Sequence, residues 1–131
     1  MICTDISDVV AGTTTINAAD LAADFTISEL GEAVKSGTGS ATETNSITVA
    51  KDKVNSSATF VGGAATDDAL TDGGVTGSNG ILNITDIETV TLTTGGAFEA
   101  DLRSVIGLKS LVINSSADYV TLNRMELAVR E

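Results

Sequence analysis

Residues 87–116 read IETVTLTTGGAFEADLRSVIGLKSLVINSS, and one apolar pattern occurs twice within them, 21 positions apart. The pattern is an apolar residue followed by two more at the third and fifth positions after it; its six residues are Ile87, Val90, Leu92, Leu108, Leu111 and Ile113. Branched aliphatic side chains at this spacing indicate strands. If the two strands are parallel neighbours, the chain between them is a right-handed crossover and the six positions are equivalent on successive coils. We therefore expect these six side chains in the core.

The segment between the two copies predicts a short helix. Gly95-Gly96 ends the first strand, and Asp101 is a residue type that often caps the free amides of a helix N-terminus. Three apolar residues follow at helical spacing and can face inward, and Gly107 can then end the helix; the three are Leu102, Val105 and Ile106. We predict a crossover helix near residues 101–106.

One or two further short helices are predicted near the N-terminus, within a helical segment at residues 1–37. Asn17 can cap a first helix that runs to Ala23. Thr26 and Glu29 have the spacing of a capping box, which predicts a second helix with an apolar stripe of Leu30, Ala33 and Val34.

The remaining chain divides by composition. Residues 38–46 are small and polar, which is typical of a loop or a flexible arm, and residues 47–131 are rich in strand-forming side chains. The alternating residues 47–49 and the apolar residues 58–61 suggest a hairpin. We predict a single domain over residues 1–131 that is mainly β. A sandwich or short roll is favoured over a regular solenoid, because two copies of a pattern are fewer than the three that usually support one.

The charge of the chain excludes some classes of partner. Seven basic and eighteen acidic residues give a formal net charge of -11, so the protein repels nucleic acid and anionic membrane surfaces. No apolar run approaches the roughly 18 residues of a membrane span. The opening residues MICTDISDVVAG lack the positive region of a secretory signal. We expect no nucleic-acid partner and no membrane partner.

Few residues can support catalysis. The chain has no histidine, which removes the usual general base and the Ser-His-Asp arrangement. Cys3 has no activating neighbour in the sequence. A glycosidase that uses two carboxylates would need aromatic residues to hold a sugar, and the aromatic content is 3%. We therefore expect a protein that is not an enzyme and that has no cofactor.

Calcium is the one small ligand that the sequence suggests. Asp67, Asp68 and Asp72 precede Gly73-Gly74 and place hard oxygen ligands on a loop, although the spacing is not that of an EF-hand. The alternative is that these acids are solvated loop charges. In that case Asp68→Ala should cost under about 0.5 kcal/mol, whereas Leu111→Ala in the core should cost about 2 to 5 kcal/mol.

The stretch from Leu82 to Leu122, with IETVTLTT, ADLRSVIGLKSLVIN and VTLN, resembles the Thr- and Asn-rich repeats of bacterial surface-layer and RTX-type secreted proteins. The resemblance covers about a third of the chain. It implies a β-rich, non-catalytic unit of a protein coat, often stabilised by calcium. The glycine-aspartate nonapeptide of RTX coils is missing here.

Three functions remain for a small acidic protein without a catalytic motif, and the third, a minor enzyme or binding domain, has only the absence of contrary evidence in its favour. The first is a structural or assembly protein of an ordered coat, as a decoration or accessory subunit on the surface of a phage-like virion, bound to a capsid or tail lattice or forming a homo-oligomer. The second, which the resemblance implies, is a surface-layer or adhesin module at the bacterial cell surface. We favour the virion subunit.

Overall fold

The structure contains strands and turns. A computed structural model describes residues 15–30, 35–49, 54, 57–115 and 119–124, and no helix occurs in these ranges. The strands are β1 (Thr15–Asn17), β2 (Phe25–Leu30), β3 (Ser36–Thr38), β4 (Asn45–Val49), β5 (Thr59–Val61), β6 (Ala69–Ile81), β7 (Asn83–Thr85), β8 (Thr89–Asp101), β9 (Val105–Ile106), β10 (Ser110–Ser115) and β11 (Val120–Asn123).

The strands form two parallel sheets that the chain visits alternately. The first sheet has the order β1-β3-β5-β7-β9, and the second has the order β10-β8-β6-β4-β2, with β11 paired to β8. Every pairing between the described strands is parallel; it joins one strand to the next of the same sheet, or β11 to β8. One strand of each sheet with the turn between them makes one coil. The described strands thus form five coils, which stack into a β-solenoid, and we number the coils one to five in chain order.

The recurring apolar pattern corresponds to the coil spacing. Val90 lies opposite Leu111, and Leu92 lies opposite Ile113, in the pairing of β8 with β10. Other coils have slightly different lengths. Paired residues are 20 positions apart where β6 first meets β8 and 24 apart where β5 meets β7. The apolar pattern of residues 87–92 recurs only between the fourth and fifth coils. Because the other coils lack it and differ in length, a search of the sequence for one repeat does not find them.

The core is a narrow apolar layer between the two sheets. In β8, buried and partly exposed residues alternate from Thr89 to Thr94, so that valine and leucine face inward and three threonines face outward. The largest fully buried side chains come from both sheets and from the turns between them: Phe60, Phe98, Ile47, Leu70, Leu82, Ile84, Ile87, Leu92 and Val54. A core of aliphatic side chains and three phenylalanines, the third being Phe25, is therefore enclosed on both faces.

The strands β6 and β8 are 13 residues long and continue past the end of the second sheet. Their register shifts three times, and their last residues pair again, with Ile81 opposite Asp101. There β8 also pairs with β11, with Phe98 opposite Val120. Gly77 and Gly80 have φ values of +73° and +66°, a conformation that glycine adopts without strain. The Asn-Gly pair at 79–80 thus lies in an irregular strand.

The predicted N-terminal helices are wrong for the described residues. Asn17 ends β1, and its side-chain oxygen accepts a hydrogen bond from the backbone N–H of Ala19 at 3.0 Å, which closes a turn. Phe25–Leu30 forms β2 in place of the second helix. The rest of that predicted helix, at residues 31–34, lies outside the described residues.

The predicted crossover helix near 101–106 is also wrong. Asp101 accepts the backbone N–H of Arg103 at 3.0 Å, and β9 begins two residues later at Val105. A helix cap and an isolated turn share this bond between a side chain and the amide two positions on. Whether a helix or an isolated turn forms depends on the bonds of the residues that follow. Here Ile106 pairs with the neighbouring coil, since its C=O accepts a hydrogen bond from the backbone N–H of Asp86 at 2.9 Å.

The sheet topology contradicts two predictions, the sandwich and the hairpin. A sandwich is built from antiparallel strands, whereas all the described pairings here are parallel. The hairpin expected from residues 47–61 does not form, because β4 lies in the second sheet and β5 in the first. Residues 38–46, expected to be a loop or arm, contain the end of β3, a buried turn and the start of β4. The composition of this segment does not reveal that two of its polar side chains, those of Ser40 and Asn45, are buried.

Candidate functional site

The six residues of the recurring pattern all belong to the interior, but to different degrees. Ile87, Val90 and Leu92 are fully buried, whereas Leu108, Leu111 and Ile113 are only partly buried against the core. The second group lies in the fifth coil, where no further described coil covers it. Position in the stack therefore sets the burial of side chains that have the same pattern in the sequence.

A column of buried polar side chains runs beside the core, where the strands of the second sheet begin. Asn45 is the first residue of β4, Asp68 precedes β6, and Glu88 precedes β8, and all three are buried. The sheet register places these residues at one position on the second, third and fourth coils. The next residue of the column is Lys109, on the fifth coil.

Asp68 is the centre of this polar column. Its Oδ1 accepts hydrogen bonds from the backbone N–H of Asn45 at 2.7 Å and from Asn45 Nδ2 at 3.1 Å. Its Oδ2 accepts the backbone N–H of Gly63 at 2.7 Å. The residue is 0% exposed. Three N–H donors of the protein therefore take the place of water around its carboxylate, and hydrogen bonds to a carboxylate are stronger than those between neutral groups.

The column links each coil to the next. Asp68 N–H donates to Glu88 Oε2 at 2.9 Å, and Asp68 C=O accepts from the backbone N–H of Glu88 at 3.1 Å. Glu88 C=O in turn accepts from the backbone N–H of Lys109 at 2.9 Å. The Lys109 ammonium group donates to Thr66 C=O at 3.0 Å. Side chains and backbone thus bond four successive coils.

Asn45 also closes the buried turn that precedes β4. Its Nδ2 donates to the carbonyls of Ser40 and Glu43, each at 3.0 Å, and its Oδ1 accepts the backbone N–H of Ser40 at 2.6 Å. A Cβ at Gly39 would come within 2.3 Å of this amide group, so the turn needs glycine there. No buried side-chain nitrogen or oxygen among the described residues lacks a partner.

The structure separates the three acids that suggested calcium. Asp68 points into the polar column, while Asp72 is buried further along β6 and accepts the backbone N–H groups of Val54 and Gly74, both at 2.9 Å. Asp67 is exposed and accepts from Thr44 Oγ1 at 3.0 Å. Among the described residues, no group of three or more His, Cys, Asp or Glu side chains is placed to hold a metal ion.

An ion pair lies at the end of β8. The guanidinium of Arg103 donates to Oδ2 of Asp101, with Nε at 2.9 Å, and Arg124 Nε lies 4.0 Å from the same oxygen. The hydrogen bond from Arg103 lowers the pKa of the Asp101 carboxyl below its ordinary value of 3.8. The same bond raises the pKa of Arg103. The pair fixes the turn that leads from β8 to β9.

The described surface has a shallow depression and an apolar end. The depression holds about 330 Å³ and is lined by five consecutive residues of one turn, 17–21, so it has the shape of an open groove. The large exposed apolar side chains lie towards the C-terminal end: Ile106 at 60%, Val112 at 39% and Tyr119 at 65%. No described segment forms a helix of the length and apolarity needed to cross a membrane.

Sequence reasoning missed most of the polar column. The sequence patterns do not single out Asn45 or Glu88, and for Asp68 they suggest a loop charge or a calcium ligand. One signal is present, because Asn45, Asp68 and Glu88 each precede an alternating apolar stretch by one or two residues. No protein-family model, no curated protein and no solved structure matches this chain.

Proposed function

We propose that the protein is a non-enzymatic structural unit of an ordered protein coat. The observation that carries this proposal is the stack of parallel coils, whose described surface offers outward threonines, acids and strand edges. A solenoid is quasi-one-dimensional, since each coil contacts its neighbours and the stack extends by adding coils. Such a fold suits a protein that acts by contact with other proteins.

Within this proposal we place a surface-layer or adhesin module before the virion subunit that the sequence favoured, because stacked coils suit an extended protein surface. Repeats of that class resemble the stretch from Leu82 to Leu122, and this stretch contains β7, β8, β9, β10 and most of β11. A module of this kind belongs to an extended protein surface outside the cell. Its task is to hold a fixed spacing, which stacked coils do well because the distance between strands is fixed at about 4.8 Å.

A decoration or accessory subunit of a phage-like virion is the second candidate. It is favoured by the position of the exposed apolar side chains, because Ile106 and Val112 lie on one coil and Tyr119 follows it in the chain. These side chains belong to one end of the stack, and a subunit that binds a capsid or tail lattice through one end would use them. The acidic remainder of the molecule would then face solvent.

Fractionation of the native source distinguishes the two settings. An antibody against the protein should detect it with the cell envelope, and electron microscopy should show ordered sheets, if it is a surface-layer module. It should sediment with particles in a density gradient if it is a virion subunit. Recovery only as a free protein in neither fraction would contradict both settings.

A further inference from the structure

We propose that copies of this protein associate head to tail, with the first coil of one copy continuing the stack beyond the fifth coil of another. This inference rests on the proposed structural role and specifies its partner. Within the described residues, β1 and β2 pair only with the second coil, while β9 and β10 pair only with the fourth. In the described part of the chain, the strands at both ends therefore keep one edge that can accept another parallel strand.

The two ends have complementary charge. The described residues 15–30 contain three acids and no lysine or arginine, whereas the described residues from 101 onward contain three basic residues and one acid, Asp101, against which Arg103 and Arg124 lie. Asp20 and Asp24 are exposed on the first coil. Three of the four described lysines and arginines, all exposed, lie from the turn before β9 onward: Arg103, Lys109 and Arg124. In a molecule of net charge -11, an end whose described part carries these basic residues repels an acidic coil less than an end without them.

The apolar columns also match. In the first sheet, Ile16, Phe60, Ile84 and Val105 belong to one inward column, and Ile16 and Val105 at its two ends are only partly buried. A second copy that continues the register would place its Ile16 on Val105. It would also cover part of Ile106, whose neighbour in the added coil is Asn17. Burial of partly exposed apolar surface would drive this contact.

The turn between the two sheets is long in the first coil and short in the fifth. The structure already contains a long turn stacked directly on a short one. The first coil has ten positions from Ile16 to Thr26, and the fifth has five from Val105 to Ser110. The third coil has nine from Phe60 to Ala69 and stacks on the fourth, which has five from Ile84 to Thr89. A long turn next to a short one is therefore compatible with continuous sheets.

The register gives a direct test by disulfide formation. Thr26 and Ser110 are both exposed and belong to one column of the second sheet. In the head-to-tail assembly Ser110 of one copy lies beside Thr26 of the next. Paired strands are about 4.8 Å apart, and this separation allows a disulfide. In a Cys3→Ser background, Thr26→Cys and Ser110→Cys proteins should cross-link when mixed under mild oxidation, and the double variant should form a ladder of multimers.

The matched control replaces Thr26→Cys by Ser46→Cys, which is exposed in the same column but lies inside the stack on the second coil. Mixing it with Ser110→Cys should give only background cross-linking. Equal cross-linking with the control overturns the inference, and so does efficient self-cross-linking of Ser110→Cys alone, which would show a tail-to-tail dimer. Either result leaves the coat function standing if the protein still fractionates with an envelope or a particle.

A second measurement tests the surface without a cross-link. Ile106→Asp and Arg124→Glu change exposed side chains at the fifth-coil end, so each should leave the melting temperature of the free protein within about 2 °C. Each should weaken association by about tenfold in sedimentation equilibrium. Lys35→Glu makes the same charge change as Arg124→Glu on the second coil and should have no such effect. Equal loss of association in Lys35→Glu would refute a contact at this end.

Discussion

The backbone N–H of Asp68 donates a hydrogen bond to Oε2 of Glu88 at 2.9 Å, although the two residues are 20 positions apart in the chain. They are equivalent on successive coils, and Asp68 uses its own carboxylate in the same way towards the backbone of Asn45, on the coil before. Each of these two acids thus accepts an amide of the preceding coil. The polar column therefore repeats one hydrogen bond, from a backbone amide to a carboxylate of the next coil, and this bond holds the coils in register.

We expect Asp68→Ala to cost about 3 kcal/mol or more, because it leaves buried donors at Asn45 and Gly63 without an acceptor. This revises the small cost expected for a loop charge. Chemical denaturation measures the change. Asp67→Ala is the matched control, since Asp67 is exposed, and it should cost less than about 0.5 kcal/mol. Similar costs for the two variants would show that the column contributes little to stability.

The turn after β5 should not tolerate a side chain at Gly62. A Cβ there would lie 1.9 Å from the carbonyl oxygen of Asp86 and 2.5 Å from Asp68 Oδ2. Gly62→Ala should therefore cost about 3 kcal/mol or prevent folding. Gly73→Ala is the control, because a Cβ at Gly73 meets nothing within 4 Å, and it should be neutral or stabilise by up to about 1 kcal/mol. Thermal melts of both variants give the comparison, and equal melting temperatures would contradict the close approach at Gly62.

Two leucines in one column of the second sheet should differ in their contribution. Leu70 is fully buried on the third coil, whereas Leu111 is partly buried on the fifth. Leu70→Ala should cost about 2 to 5 kcal/mol, and Leu111→Ala should cost less, because less apolar area is lost. Urea unfolding of the free protein gives both values. A larger cost for Leu111 would mean that the fifth-coil end is covered in solution.

The ion pair at Asp101 has a consequence for pH dependence. The pKa of Asp101 is lowered in the folded protein, so the pair stabilises the fold above the ordinary value of 3.8 and loses this effect as the pH falls through the folded pKa. An NMR titration should show Asp101 titrating below this ordinary value. Arg103→Gln should raise the pKa of Asp101 towards 3.8, and an unchanged pKa would exclude Arg103 as its cause.

Calcium should not bind through Asp67, Asp68 and Asp72 acting together. The carboxylates of Asp68 and Asp72 are buried and accept backbone amides, and the acids do not converge. We expect millimolar calcium to shift the melting temperature equally in the wild type and in Asp67→Asn. A shift that Asp67→Asn abolishes would show that an exposed acid of this segment binds the ion.

Local patterns predict some features of this chain because those features depend on the nearest neighbours. Alternation in residues 87–92 and 108–113 indicates strands, and β8 and β10 lie there. Asn17 and Asp101 are residue types whose side chains often bond a following amide, and both do so. The helices predicted to follow Asn17 and Asp101 are wrong, because a hydrogen bond from the amide two positions on to the side chain occurs both in isolated turns and at the start of a helix.

Other features depend on which coil lies next to which. Residues 38–46 have the composition of a loop, yet Ser40 and Asn45 are buried because the neighbouring coils cover them. The spacing between paired residues is 20 positions at one step of this stack and 24 at another, so no fixed period exposes all the coils. The sequence alone could not reveal that Asp68 is a structural residue, since its donors come from Asn45 and Gly63.

Sequence patterns alone predict that strands of small branched side chains dominate, that the surface is acidic, and that the six residues of the recurring apolar pattern face inward; they wrongly place Ile106 inward, since its side chain is 60% exposed. These properties depend on side-chain shape, charge and alternation, which are local. The parallel pairing of the strands, their stacking as coils, and the buried column of polar residues from three coils depend on contacts between distant parts of the chain. A carboxylate can be buried when amides from neighbouring coils surround it, and that arrangement exists only after the coils have come together.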